Sequence, residues 1–246
     1  MVKLSGLIDG MAAALQTEPA RVRTAAAQLR KHKLLTTGPR GPGAPDMTPE
    51  DATNLLLALM YDGEAAKAHE NVARLREATF VRSEGIVRGG ERLPSDMLAP
   101  NRFLRDTEGN PLPFGYVLDT MLDWWLRGGS IEEEDCEDGG PNLYAAKIRL
   151  TVSSPGYRAR LFIDAYDVHW QLDYECKPPE QLEYEAAATT EGFDFRPRWD
   201  ALNGPYMSAS RVVGEDNLTA IADCLRGRPW DDLEDLPADP EVEALG

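Results

Sequence analysis

Cysteine and histidine are scarce in this chain, and long apolar runs are lacking. Its 246 residues include three cysteines, Cys136, Cys176 and Cys224, and three histidines. An odd, widely spaced cysteine set offers no disulfide framework and no paired-cysteine zinc motif, which favours a reducing, cytoplasmic setting. No apolar run approaches the roughly 18 residues that a membrane-spanning helix needs. Because Asp9 interrupts the apolar N-terminus, we expect neither a membrane segment nor a signal peptide.

Sequence motifs with known catalytic chemistry are also lacking. The stretch GPRGPG has no following lysine and helix start, as a phosphate-binding loop requires, and neither GxSxG nor HExxH occurs. The acidic run IEEEDCED lacks the oxygen spacing and central glycine of a calcium loop. His169 lies in DVHWQLDYE, where polar and apolar residues alternate, so we predict a half-exposed strand there rather than a metal or general-base site. We therefore predict a protein that is not an enzyme and that uses no metal or cofactor.

Positive charge is unevenly distributed along the chain, whose formal net charge is −16. Residues 1–45 hold seven basic and two acidic side chains, for a net charge of +5, whereas residues 46–246 hold 19 and 40, for −21. A positive segment on an acidic protein indicates a surface that meets a polyanion. The alternative is an ordinary solvated helix face.

The N-terminal sequence predicts four helices, the last of them an amphipathic helix from about Glu64 to Arg76. Apolar residues at three- and four-residue steps predict the first, from about Leu4 to Leu15. A second helix from Pro19 to about Lys31 has one apolar stripe and an opposite polar, basic face; the stripe consists of Val22, Ala25, Ala26 and Leu29. Thr48 and Asp51, which flank a proline, form a capping-box pattern that predicts the start of the third helix.

This order of elements resembles a winged helix-turn-helix DNA-binding domain over roughly residues 4–60. The matching pieces are LIDGMAAAL as supporting helix, EPARVRTAAAQLRKH as recognition helix, and LLTTGPRGPGAPDMT as a wing with a short strand and a basic turn. The turn LQTEP contains no glycine, and His32 and Lys33 stand where a helix-ending glycine is usual. The resemblance implies that the second helix enters the major groove of duplex DNA and that the wing lies beside it. The residues that it places at the DNA are Arg21, Arg23, Thr24, Gln28, Arg30, Lys31 and, at the wing tip, Arg40.

The rest of the chain predicts an α+β fold. A period of two over residues 144–175 predicts three antiparallel strands, MSASRVVG offers a fourth, and helices are expected near residues 114–127 and 215–226. We therefore expect an N-terminal winged-helix-like helical head and a C-terminal small antiparallel sheet with flanking helices. The expected organisation is a head with its following helices (1–80), linker and loops (81–113), an α+β body (114–229) and an acidic tail (230–246).

These features favour a DNA-binding protein, specifically a transcriptional regulator of phage or mobile-element type. We expect it to bind duplex DNA as a homodimer, with the adjacent Trp124 and Trp125 offering one interface residue in the body. One alternative is a phage assembly or DNA-packaging adaptor, or a protein-interaction scaffold. In that case a protein partner would bind the acidic body or tail, where Trp230, Leu233 and Leu236 recur among carboxylates. Another alternative is an inhibitor whose acidic surface mimics nucleic acid.

Overall fold

The computed structural model describes residues 2–39, 43–61, 65–87, 104–106, 108–126, 147–154, 157–165, 168–176 and 209–227. These residues form six α-helices and a five-stranded antiparallel sheet, which confirms the predicted α+β class. The helices are α1 (Leu4–Ala14), α2 (Pro19–Lys31), α3 (Pro49–Met60), α4 (Ala68–Arg76), α5 (Phe114–Leu126) and α6 (Glu215–Arg226). The strands are β1 (Thr79–Val87), β2 (Lys147–Ser154), β3 (Arg158–Ala165), β4 (Val168–Glu175) and β5 (Ala209–Gly214). Within the part of the chain that the structure describes, no helix combines the length and apolarity needed to cross a membrane.

The sheet has the strand order β1-β4-β3-β2-β5. Strands β2, β3 and β4 form the predicted meander, and β5 adds the predicted fourth strand beside β2. The alternation in β4 buries Trp170, Leu172 and Tyr174 against the helices, while His169 is exposed on the other face. This confirms the prediction that His169 lies on the half-exposed side of a strand.

Strand β1 corrects the prediction of linker and loops from residue 81 onward. It runs to Val87 and pairs with the whole of β4, between Thr79 opposite Glu175 and Val87 opposite Val168. A bulge between Phe80 and Arg82 shifts the alternation by one residue. The inward positions beyond the bulge carry polar Ser83 and Gly85, so the sequence shows no apolar alternation there. The strand is therefore defined by its pairing and not by its hydrophobic pattern.

The predicted head and body share one hydrophobic core. A continuous cluster of buried residues includes Leu7 and Leu56 from the N-terminal helices together with Leu122, Leu161 and Ile221 from the C-terminal elements. The predicted division between residues 1–80 and 114–229 therefore does not separate two cores among the described residues. The predicted acidic tail, 230–246, lies outside them.

Helices α1 and α6 pack directly against each other. Asn217 Nδ2 donates a hydrogen bond to Ala14 O at 2.6 Å, and Cys224 Sγ donates to Gly6 O at 3.3 Å. A Cβ atom at Gly10 would overlap Cys224 Sγ and lie 2.8 Å from Cys224 Cβ. Glycine is therefore required at position 10 for these helices to approach each other this closely.

Arg76 connects helices α3, α4 and α5. Its guanidinium bonds Asp119 through both oxygens, at 2.6 and 3.2 Å, and Asn54 Oδ1 at 3.0 Å. Asn54 Nδ2 in turn donates to Leu34 O at 2.8 Å, just beyond the end of α2. Burial alone would lower the pKa of Arg76, but the hydrogen bonds and charge of Asp119 outweigh it and the pKa is raised. This network fixes the C-terminal end of α2 to the rest of the protein.

Candidate nucleic-acid interface

Helices α1 and α2 are consecutive helices joined by a four-residue connection, residues 15–18, which is the length of a helix-turn-helix turn. Gln16 has a φ of 47°, in the left-handed region that favours glycine. Its N–H donates to Ala13 O at 3.1 Å, and the Thr17 N–H donates to Ala12 O at 2.9 Å. These two bonds constitute a Schellman motif, so Gln16 takes the place of the glycine that the turn lacks.

The opposite faces of α2 are buried and exposed as its periodicity predicts. Val22, Ala25, Ala26 and Leu29 are buried where α2 packs on α1, α3 and α4. Of the predicted DNA-binding residues on α2, Gln28 is half-buried at the border of the stripe and the others are exposed: Arg21, Arg23, Thr24, Arg30 and Lys31. The structure thus brings these six predicted side chains to one helix surface, whereas Arg40 lies outside the described residues.

The cations of this surface are available to an external anion. Arg21, Arg30 and Lys31 form no ion pair with any described residue. The Arg23 guanidinium lies 3.7 Å from Asp9 Oδ1, and both side chains are more than 60% exposed. An ion pair that exposed contributes little free energy and is readily exchanged for another anion.

The Thr24 hydroxyl is less available to an external ligand than the cations are, because it already donates a hydrogen bond within α2. The acceptor is Ala20 O, at 3.0 Å. The hydroxyl oxygen keeps its accepting lone pairs, and rotation about χ1 or the C–O bond would release the proton to a phosphate oxygen. Arginine is suited to guanine edges, glutamine to adenine, and lysine or threonine to phosphates. The surface therefore has side chains suited both to base contacts and to phosphate contacts.

The C-terminal end of α2 adds residues that the sequence did not assign to this surface. Lys33, which stands where a helix-ending glycine is usual, has a φ of 60° and ends the helix. The Leu34 N–H donates to Leu29 O at 2.9 Å and the Lys33 N–H to Arg30 O at 3.1 Å, which gives a second Schellman motif without glycine. Lys33 is exposed and extends the basic surface by one cation.

His32 is the second unassigned residue at this end. Its ring stacks on His69 of α4, with the centroids 3.3 Å apart and the planes inclined by 10°. Partial desolvation and the nearby charges of His69 and Lys31 lower the pKa of His32, whereas Glu70 acts in the opposite direction. The only sequence signal for this contact was the presence of two of the three histidines near helix ends.

The predicted wing strand is not formed. The described residues between α2 and α3, 32–39 and 43–48, contain no strand. Side chains of α3 bind the backbone of this segment instead: the Thr36 N–H donates to Asp51 Oδ1 at 2.6 Å, and Leu34 O accepts from Asn54. Prolines at positions 39, 42 and 45 supply no N–H for a ladder. The segment is therefore a loop tied to the start of α3, where the predicted capping box of Thr48 and Asp51 is present.

Among the residues that the structure describes, the other candidates form no second site. Within the described ranges, no three His, Cys, Asp or Glu side chains are grouped as metal ligands would be. On the outer face of the sheet, Asp173 is paired with both Arg82, at 2.7 Å, and Arg160, at 2.6 Å, which is a structural ion-pair network. Burial raises the pKa of the Cys176 and Cys224 thiols, which disfavours the reactive thiolate. Cys136, the IEEEDCED run and the side chains of Trp124 and Trp125 lie outside the described part of the chain.

No protein-family model, curated protein or solved structure matches this chain. The geometry and chemistry of the α2 surface are therefore the basis for assigning a function.

Proposed function

We propose that this chain is a duplex-DNA-binding protein whose contact surface is the exposed face of α2. The proposal rests on Arg21, Arg30 and Lys31, which lie on the second of two helices joined by a short turn and form no ion pair with any residue that the structure describes. The surrounding protein is strongly acidic, so phosphate would be repelled from most other surfaces and attracted to this one.

The dimensions of the element suit this role. Helix α2 has 13 residues and is buried along one stripe only, so the opposite side can enter a major groove about 12 Å wide. Arg30, Lys31 and Lys33 at its C-terminal end, with Arg21 and Arg23 near its start, spread positive charge along its length. Binding would therefore release several counterions and depend steeply on salt.

The finer part of the proposal is that the protein is a transcriptional regulator of phage or mobile-element type that binds as a homodimer. Helix-turn-helix readers commonly use two recognition helices on half-sites one helical turn apart. A single α2 offers few base contacts, and a two-fold pair would double both the phosphate and the base contacts. The loop between α2 and α3 would lie beside the groove without forming a β wing.

Fluorescence anisotropy of a labelled random duplex, titrated with the full chain at 50 and 200 mM salt, tests the proposal. We expect binding whose log-log salt slope is about −3 to −4 for each protomer bound, as neutralisation of roughly four phosphates per protomer predicts. The double substitution Arg30→Gln/Lys31→Gln should weaken binding at least about tenfold and reduce the size of that slope by about 2. The full chain is needed because α1 and α3 pack into the shared core.

A matched control has the same change in charge on the sheet. Arg149→Gln/Arg158→Gln removes two cations whose side chains are exposed on the outer face, far in sequence from α2. This variant should bind DNA within about twofold of the wild type, because neither cation lies on α2. It should also fold normally, since exposed ion pairs such as Arg158 with Glu175 contribute little to the free energy of unfolding. Equal losses in the two double variants would assign the affinity to overall charge. No binding even at 50 mM salt would reject the proposal and favour the assembly-adaptor or scaffold alternative.

A further inference from the structure

A cavity of about 320 Å³ lies where the α1–α2 turn, the end of α3 and strand β5 meet. Its floor is apolar and belongs to the core: Leu59, Met60 and Val213 are each less than 5% exposed. Its rim carries Gln16 and Thr17 from the turn and Val212 from β5, which is 57% exposed.

The size and lining of this cavity match one class of ligand. A volume near 300 Å³, an apolar floor and a small number of polar groups at one side are the features of small-molecule sites. The Gln16 amide and the Thr17 hydroxyl can each accept or donate one hydrogen bond. A partner strand is a poorer fit, because it would need the length of β5, whereas the cavity is confined to Val212 and Val213 at one part of that strand.

The turn that forms the rim also sets the direction of α2. Gln16 and Thr17 make the two Schellman bonds that end α1, and α2 begins two residues after Thr17. Asn217 of α6 binds Ala14 O in the last turn of α1 and, through its Oδ1, the Gly214 N–H at the end of β5. A molecule in the cavity would thus touch the turn and lie beside the hydrogen bonds that join it to the sheet.

We propose that this cavity binds a small amphipathic molecule, with an apolar part against its floor and a hydrogen-bonding group at its polar rim, and that its occupancy changes the DNA affinity of α2. The second part rests on the proposed DNA-binding function, whereas the first part does not. The ligand acts by binding one position of the α1–α2 turn more tightly than another, which shifts the population of α2 orientations.

The first test uses indole, a planar apolar molecule with one N–H donor, and the full chain with 13C-labelled methionine methyl groups. We expect a saturable shift of the Met60 methyl resonance with a dissociation constant below about 1 mM. Val212→Trp places a large side chain at the rim and should weaken this binding at least about tenfold. The matched control is Val81→Trp on β1, because Val81 is 50% exposed and does not line the cavity. It should bind indole as the wild type does.

The site is rejected if the wild type shows no saturable Met60 shift, or if Val212→Trp binds indole as tightly as Val81→Trp does.

The second test repeats the duplex titration with and without saturating indole. We expect the dissociation constant for DNA to change about fivefold in the wild type and in Val81→Trp, and to stay constant in Val212→Trp. An unchanged affinity with a saturated Met60 shift would overturn the coupling and leave the binding site intact. If no duplex binds under any condition, the proposed function and the coupling fail together, and the Met60 shift still decides whether the site exists.

Discussion

At the scale of single residues, helices α1 and α2 each end on a side chain in a backbone conformation that usually belongs to glycine. Gln16 and Lys33 both have positive φ, and each sits at the end of a helix with both Schellman hydrogen bonds in place. For an L-residue this conformation costs roughly 1–2 kcal/mol relative to right-handed backbone. The surrounding packing therefore offsets the local backbone strain at the C-terminal ends of α1 and α2.

Replacing either residue by glycine should stabilise the protein. Gln16→Gly and Lys33→Gly remove the strain but add entropy to the unfolded chain, so we expect each to raise the free energy of unfolding by about 0.5–1 kcal/mol. Urea denaturation at pH 7 measures the change. As a control, Ala27→Gly on the exposed face of α2 should lower the free energy of unfolding by about 1 kcal/mol. If all three variants are destabilised alike, the left-handed helix ends are not formed.

The His32–His69 stack predicts a pH dependence with a definite sign. The pKa of His32 is lowered in the folded protein, so the folded state binds fewer protons than the unfolded state near that pKa. The stabilising contribution is therefore complete above the unfolded-state pKa of about 6.5 and is lost as the pH falls through the lower folded-state pKa. We expect His32→Gln to reduce the loss of stability between pH 7 and pH 5, measured by urea denaturation.

Substitutions beside His32 should move its titration in opposite directions. His69→Ala removes a burying ring and a neighbouring charge and should raise the pKa of His32, whereas Glu70→Gln should lower it further. NMR titration of the imidazole C–H resonances follows both. Parallel shifts in the two variants would contradict the arrangement of these three side chains.

At the scale of elements, periodicity was sufficient for the helices and for the meander. Helix α2 was predicted together with its buried and exposed sides, because small apolar residues recur along one stripe and charges along the other. Strand β1 was missed because the bulge after Phe80 and the inward Ser83 and Gly85 remove the period-two signal. The wing was predicted wrongly because backbone groups of that segment bind Asn54 and Asp51 on α3, contacts that no local pattern reveals.

The Arg76 network tests how elements are joined. The Arg76 side chain is 12% exposed, and its Nη1 and Nη2 both donate to the Asp119 carboxylate. Removing that carboxylate therefore leaves a largely buried cation without its main partner. We expect Asp119→Ala to lower the free energy of unfolding by about 2–4 kcal/mol, measured from urea midpoints. Glu50 supplies the matched control, since its carboxylate lies 3.8 Å from the same guanidinium but is 66% exposed. Glu50→Ala should change the stability by less than about 0.5 kcal/mol. Equal effects would show that Arg76 gains as much from the outer carboxylate as from the inner one.

At the scale of the whole molecule, the packing of α1 on α6 joins the N-terminal helices to the elements that follow the sheet. Gly10→Ala would place a methyl group into Cys224, and we expect a loss of at least about 2 kcal/mol in urea denaturation. The double variant Gly10→Ala/Cys224→Ala removes the overlapping sulfur and should recover part of the loss, although Cβ of residue 224 remains close. Strict additivity of the two substitutions would contradict direct packing of α1 on α6.

The candidate site illustrates what a sequence can and cannot predict for the molecule as a whole. The exposed face of α2 follows from helical geometry alone, and the structure places five of its six predicted residues there, with Gln28 half-buried at the border. The contributions of Lys33 and His32 were missed because a positive φ and a contact with α4 determine them. The cavity beside Gln16 could not be predicted either, because its floor comes from α3 and its rim partly from β5, about 150 residues further along the chain.

Contact between the α2 face and duplex DNA is tested most directly by an amide chemical-shift map. The 15N-labelled full chain is titrated with a short duplex at 50 mM salt. We predict that the largest shifts fall on residues 19–34 and that raising the salt to 200 mM reverses them. Shifts concentrated on the outer face of the sheet, around Arg149 and Arg158, or no shifts at 50 mM salt, would contradict contact at the α2 face.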